Sequence, residues 1–206
     1  MNRLIPRIGA AIVTVTVFLF ALFLIVHFPF GYYFVCMLLP MGYIMMAAGL
    51  TNESAPERRV AANAGMAFAA VYAVLVLLVY FAQATTVRLG GLNEQAAALI
   101  DFSRGGLIFN YDLLGYGMMA LSTLFIGLSM KAKGRADAWL KRLMVIHGAF
   151  FPGCFIMPMT GVFSGMSGGG TGSGGVIALV AWCAYFLPIG ILAYRHFSPR
   201  REGGAA

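Results

Sequence analysis

Ile8-Gly9-Ala10-Ala11-Ile12-Val13-Thr14-Val15-Thr16-Val17-Phe18-Leu19-Phe20-Ala21-Leu22-Phe23-Leu24-Ile25-Val26-His27-Phe28 contains no Asp, Glu, Lys or Arg. As a helix it is about 30 Å long, the thickness of a bilayer's hydrocarbon core. Arg3 and Arg7 precede it, as basic residues precede the apolar core of a signal peptide. The run is longer than such a core, and no small-x-small site stands before His27-Phe28-Pro29, so it reads as a retained first membrane helix.

Five further long apolar runs follow, at about 32–50, 60–83, 107–130, 139–162 and 176–194. The chain has 206 residues, 61% of them hydrophobic and 10% charged, with a mean hydropathy of +0.86. A soluble domain needs far more charge on its surface. The expected fold is therefore an all-α integral membrane protein, a six-helix transmembrane bundle. It occupies residues 1–206 as a single transmembrane domain, with a basic tail from 195.

Between the third and fourth runs, Leu92, Ala96, Leu99 and Ile100 recur at helical spacing beside Asn93, Glu94, Gln95 and Asp101. This pattern predicts a short amphipathic helix lying in the interface. The fifth run contains His147, Pro152 and Pro158 with glycines nearby. Interior prolines remove backbone hydrogen bonds, so a kink or local unwinding is expected there. Residues 164–175, rich in Gly and Ser, read as a flexible loop, and the end of the tail reads as disordered.

Charge gives an orientation. If the amino terminus is cytoplasmic, the inner side holds Arg3, Arg7, Arg58, Arg59, Lys131, Lys133, Arg135, Lys141, Arg142, Arg195, Arg200 and Arg201, and the outer side only Arg88 and Arg104. By the positive-inside rule both termini are cytoplasmic, in a cell inner membrane. The net charge of +7 is explained by this topology, so no nucleic-acid partner is expected. Leu39-Pro40-Met41-Gly42 is echoed by Leu187-Pro188-Ile189-Gly190, but in helices running the same way, which an inverted repeat does not produce. Cys36, Cys154 and Cys183 fall in apolar runs and behave as small hydrophobes.

The polar chemistry gathers in the run 101–116, Asp-Phe-Ser-Arg-Gly-Gly-Leu-Ile-Phe-Asn-Tyr-Asp-Leu-Leu-Gly-Tyr. Asp112 is the acidic residue set inside an apolar segment. A charge at mid-membrane costs about 2.5–3.5 kcal/mol on insertion scales, so such residues are kept for a partner or a function. Asp112 and Tyr116, four apart, share one helical face roughly 8 Å below the outer end. Two readings stand. In one, they line an outward-facing cavity that binds a cation, an amine or a proton, with Asn110 in the same polar run. In the other, Asp112 is tied structurally to Arg88, Gln83 or Tyr80.

Arg88 and Arg104 have guanidinium geometry suited to clamping an anionic group; pairing with Glu94, Asp101 or lipid headgroups is the plainer expectation. His147 suits a proton relay, although a structural histidine is the plainer reading. No second ligand has the spacing for a metal, and neither metal nor cofactor is expected. Ala61, Gly65, Ala69 and Ala73 form a stripe of small residues that admits a close helix neighbour, within the chain or in a homo-oligomer.

No catalytic motif of the hydrolase, metalloprotease or phosphate-loop kind occurs. The expectation is a transporter-like protein binding a small molecule, cation or proton at Asp112, Tyr116, Arg88, Arg104, Asn110, Gln83 and His147. The alternatives are a membrane enzyme acting on a lipid or apolar substrate through Asp112, Tyr116 and His147, and a non-catalytic assembly or sensor subunit.

Overall fold

A computed structural model describes residues 1–162 and 173–199. Its helices are α1 (Leu4–Ile25), α2 (Pro29–Asn52), α3 (Arg59–Ala82), α4 (Glu94–Ile100), α5 (Leu107–Ser129), α6 (Arg135–His147), α7 (Phe150–Ile156) and α8 (Ser173–Phe197). No strand occurs among the described residues. Six stretches are long and apolar enough to cross a bilayer: Leu4–Ile25, Pro29–Asn52, Pro56–Val87, Leu107–Ser129, Arg135–Thr160 and Gly174–Phe197. The chain is a multi-pass membrane protein. Helices are the outcome chemistry requires, because lipid offers no partner to an open backbone N–H or C=O.

Each crossing packs on the crossings before and after it in sequence, and α8 closes the ring by packing on both α1 and α6. Six crossings bring Leu4 and Phe197 to one face, here the terminal face; the α1–α2 and α3–α5 connections lie on the far face. There the chain reverses sharply after α1, with His27 in the left-handed region at φ 55° and Pro29 opening α2. Proline suits that position because the first helical N–H has no partner to lose. Outward-facing side chains such as Leu78 and Phe81 are 65% and 62% exposed. On a soluble surface they would form a sticky patch, but here they meet lipid.

Small residues set how closely the helices approach. Gly9 of α1 lies against α2, where an added Cβ would stand 2.6 Å from the Gly42 carbonyl oxygen and the Met46 nitrogen. Gly65 of α3 lies against α5, where a Cβ would stand 2.6 Å from Ile126 Cγ1. The stripe Ala61-Gly65-Ala69-Ala73 is thus used inside the chain, on the α3–α5 seam, where Gly65, Ala69 and Ala73 are buried. Ser122 of α5 donates to the buried carbonyl of Gly65 over 2.7 Å and accepts from Tyr43 of α2 over 2.8 Å, joining three helices at one point. The two proline echoes have a shared use: Gly42 and Gly190 each press on α1, against Ile12 and Thr14.

The fifth crossing is broken. α6 ends at His147, and the N–H groups of Gly148, Ala149 and Phe151 turn to carbonyls three residues back. Pro152 cannot donate to Gly148, so the helix restarts as α7 and then tightens into a 3-10 turn over Met157–Thr160. The expected loop at 164–175 lies outside the described residues as far as 172, and from Ser173 its end already belongs to α8. The tail from 200 also lies outside them. The interfacial helix is present as α4, with Asn93 Oδ1 accepting from Ala96 N at 2.9 Å as its N-cap.

Candidate functional site

The close α3–α5 seam continues toward the far face, where a Cβ on Gly115 would stand 2.9 Å from Val76 Cγ2. That proximity sets Tyr80 of α3 against Asp112 of α5, one turn above Gly115. Asp112 is 4% exposed. Its Oδ2 accepts from the Tyr80 hydroxyl over 3.3 Å, and its Oδ1 has no hydrogen-bond partner among the described residues. Tyr116, one turn along the same face, stacks edge-on against Tyr72 at 5.8 Å and Trp182 at 5.2 Å. The hydroxyls of Tyr72 and Tyr116 are likewise buried without a well-formed hydrogen bond among the described residues, although Tyr116 lies beside Tyr80. The Cys36 thiol of α2 completes the group beside Tyr80 and Tyr116.

A buried carboxylate, a thiol and three phenols therefore meet at the junction of α2, α3 and α5. Nearly all buried polar atoms in native proteins are satisfied, so three orphans in one cluster mark it as unusual. Among the described residues no cation stands within 4 Å of Asp112.

The roof of this cluster is aromatic. Tyr33, Tyr80 and Phe102 lie with ring centres 5.9–6.3 Å apart, and Phe102 meets Phe109 at 5.3 Å. Gln83 seats the roof: its Nε2 donates to the Ile100 carbonyl over 2.8 Å and its Oε1 accepts from Phe102 N over 3.0 Å. It does so from the first position of a π-helical turn, Gln83–Val87, at the end of α3. Beneath the roof a hollow of about 10 Å³ is lined by Phe20, Leu24, Tyr32, Tyr33, Tyr80, Phe102 and Leu179. That volume is at the limit of one water. Leu24 and Tyr32 also line a wider hollow of about 180 Å³ with His27, Pro29 and Val176, so the two hollows adjoin.

The other expected site residues are placed elsewhere. Arg104 pairs with Glu94 at 2.7 Å and lies 4.0 Å from Asp101; the Glu94 hydrogen bond and charge raise its pKa further. Arg88 donates to the Ala84 carbonyl at 2.9 Å and lies over the Phe30 ring. Neither arginine lies within 4 Å of Asp112. Asn110 is exposed on the opposite side of α5 from the cluster.

His147 belongs to a second network. Trp182 Nε1 donates to its Nε2 over 3.1 Å, and its Nδ1 meets Thr123 Oγ1 at 2.8 Å. Indole is only a donor, so Nε2 carries no proton and Nδ1 carries it. The Thr123 hydroxyl then accepts from the ring and donates to the Ala120 carbonyl over 2.9 Å. Every polar atom is satisfied, which fits a structural histidine. No hydrogen bond joins this network to Asp112 among the described residues. No three His, Cys, Asp or Glu side chains converge there as metal ligands.

Cys36 and Tyr72 were not among the expected site residues. The signal for Tyr72 was available: Gly65, Ala69, Tyr72, Val76 and Tyr80 continue one helical face from the small-residue stripe. Cys36, one thiol in an apolar run, carried none.

Comparison with protein-family models, with curated proteins and with solved structures finds no match to this chain.

Proposed function

We propose that this is a transporter-like protein of the inner membrane that takes up a proton at Asp112 from the outer side. The observation that carries this reading is the carboxylate itself: Asp112 is buried, and among the described residues one oxygen has a single 3.3 Å donor and the other has none. A charge left so is costly in a low-dielectric core, and a proton is the smallest group that relieves it. The neighbouring unpartnered hydroxyls of Tyr72 and Tyr116 are acceptors and donors by simple rotation.

The size of the space favours a proton over an organic ligand, since the hollow lined by Tyr80 holds about one water. The broken fifth crossing, with α7 against α5, supplies an element able to move relative to the cluster. The basic residues on the terminal face support an arrangement with both termini in the cytoplasm, which turns the hollow near His27 outward.

The test is proton flux into liposomes containing the full chain and a trapped pH dye, driven by an imposed potential. The wild-type protein is expected to carry flux, and Asp112→Asn to slow it at least about tenfold. Equal flux from both, or no flux beyond empty liposomes, overturns the reading.

A further inference from the structure

A second polar centre lies on the terminal face, separate from Asp112. Three helix ends converge there: the start of α1, the start of α6 and the end of α8. They enclose a cavity of about 240 Å³ lined by Arg3, Lys133, Gly134, Arg135, Ala136, Asp137, Arg195 and His196. One water takes about 30 Å³ of liquid, so the space admits a multi-atom group.

The carboxylates at this cavity are already engaged. Asp137 accepts from His196 Nδ1 at 2.8 Å on one oxygen and from Lys133 N at 3.1 Å on the other. Glu53 takes Lys133 at 3.0 Å, faces His196 Nε2 at 3.3 Å and lies 3.7 Å from Arg3. Arg135 and Arg195 have no carboxylate within 4 Å among the described residues. Gly134, the N-cap of α6, has no side chain with which to cap the first turn, so the Arg135 and Ala136 amides at the cavity wall receive no side-chain cap. Four cations against two committed carboxylates leave a positive cavity at the height where helices emerge from lipid.

We infer that this cavity binds a phosphate group, held between the Arg135 and Arg195 guanidinium groups over the α6 amides. Guanidinium forms paired hydrogen bonds to phosphate oxygens, and basic hollows between helix ends receive lipid headgroups. A phospholipid headgroup and a soluble phosphate share this chemistry.

The test uses the full chain in phosphatidylcholine nanodiscs. One arm adds phosphatidylglycerol to the discs and counts retained lipid by native mass spectrometry; the other titrates inorganic phosphate by calorimetry. Binding is expected in at least one arm, and the arm that responds identifies the source. Arg135→Gln with Arg195→Gln is expected to weaken it about thirtyfold. Arg135→Lys with Arg195→Lys, which keeps the charge but not the paired guanidinium bonds, is expected to weaken binding by less than the glutamine pair. Arg59→Gln with Arg142→Gln removes two cations outside the cavity and should leave binding unchanged. An equal loss in both glutamine pairs means diffuse surface charge and overturns the site, as does failure of wild type to bind in either arm.

Discussion

The Tyr80 hydroxyl donates to Asp112 Oδ2 over 3.3 Å, and among the described residues this is the one hydrogen bond that the buried carboxylate receives. The two groups come from α3 and α5, whose close seam rests on Gly65 and Gly115. Tyr80→Phe leaves Asp112 with no donor, and the expected loss of stability is about 1–3 kcal/mol. In an Asp112→Asn background the same change is expected to cost less, with a coupling of at least about 0.5 kcal/mol in the double-mutant cycle. Denaturation of all four proteins in one detergent measures it, and additive losses would break the link.

His147 offers a prediction with a spectroscopic readout. The indole donor fixes its tautomer, so nitrogen NMR of labelled protein at neutral pH is expected to show Nδ1 protonated and Nε2 bare. The reverse assignment would contradict the network. Trp182→Phe removes the donor and is expected to cost about 1–3 kcal/mol through an unpartnered ring nitrogen.

Gln83 holds the Phe102 roof through two backbone hydrogen bonds. Gln83→Leu keeps the bulk and strands the Ile100 carbonyl and the Phe102 N–H, an expected loss of about 1–3 kcal/mol. Amide hydrogen exchange is expected to quicken in residues 100–104 and to stay unchanged in α1.

Much of this arrangement was legible in the sequence because lipid is a strict solvent. Six long apolar runs leave helices as the only backbone solution, and Asp112 and Tyr116 at four-residue spacing must share a face. The expectation that Pro152 and Pro158 disturb the fifth crossing is met by the break after His147. The contacts between crossings were less visible. Tyr80, Gln83 and Arg88 all stand near the end of the third crossing and all reach toward polar groups. Only packing decides that Tyr80 takes Asp112 while Gln83 takes the α4–α5 connection and Arg88 its own helix. Helix adjacency is set by where glycines permit close approach, and Gly9, Gly65 and Gly115 look alike in sequence.

Acid dependence of stability follows from Glu53 at the terminal face. Partial burial lifts its carboxyl, but the Lys133 hydrogen bond and the charges of His196, Lys133 and Arg3 outweigh that and hold it below its ordinary 4.5. A lowered folded-state value stabilises the protein above the unfolded value, and the contribution is lost as pH falls through the folded one. The melting temperature of wild type is therefore expected to fall more steeply than that of Glu53→Gln on acidification below pH 4.5. Parallel curves would remove Glu53 from the network.

The proposed proton uptake at Asp112 is tested most directly by infrared difference spectroscopy of the membrane-reconstituted chain across a pH titration. The account predicts a carboxylic-acid carbonyl band in wild type that grows as pH falls, fades as pH rises and is missing from Asp112→Asn. A pH-dependent band set that is identical in the two proteins would contradict it, because the carboxylate that titrates would then lie elsewhere.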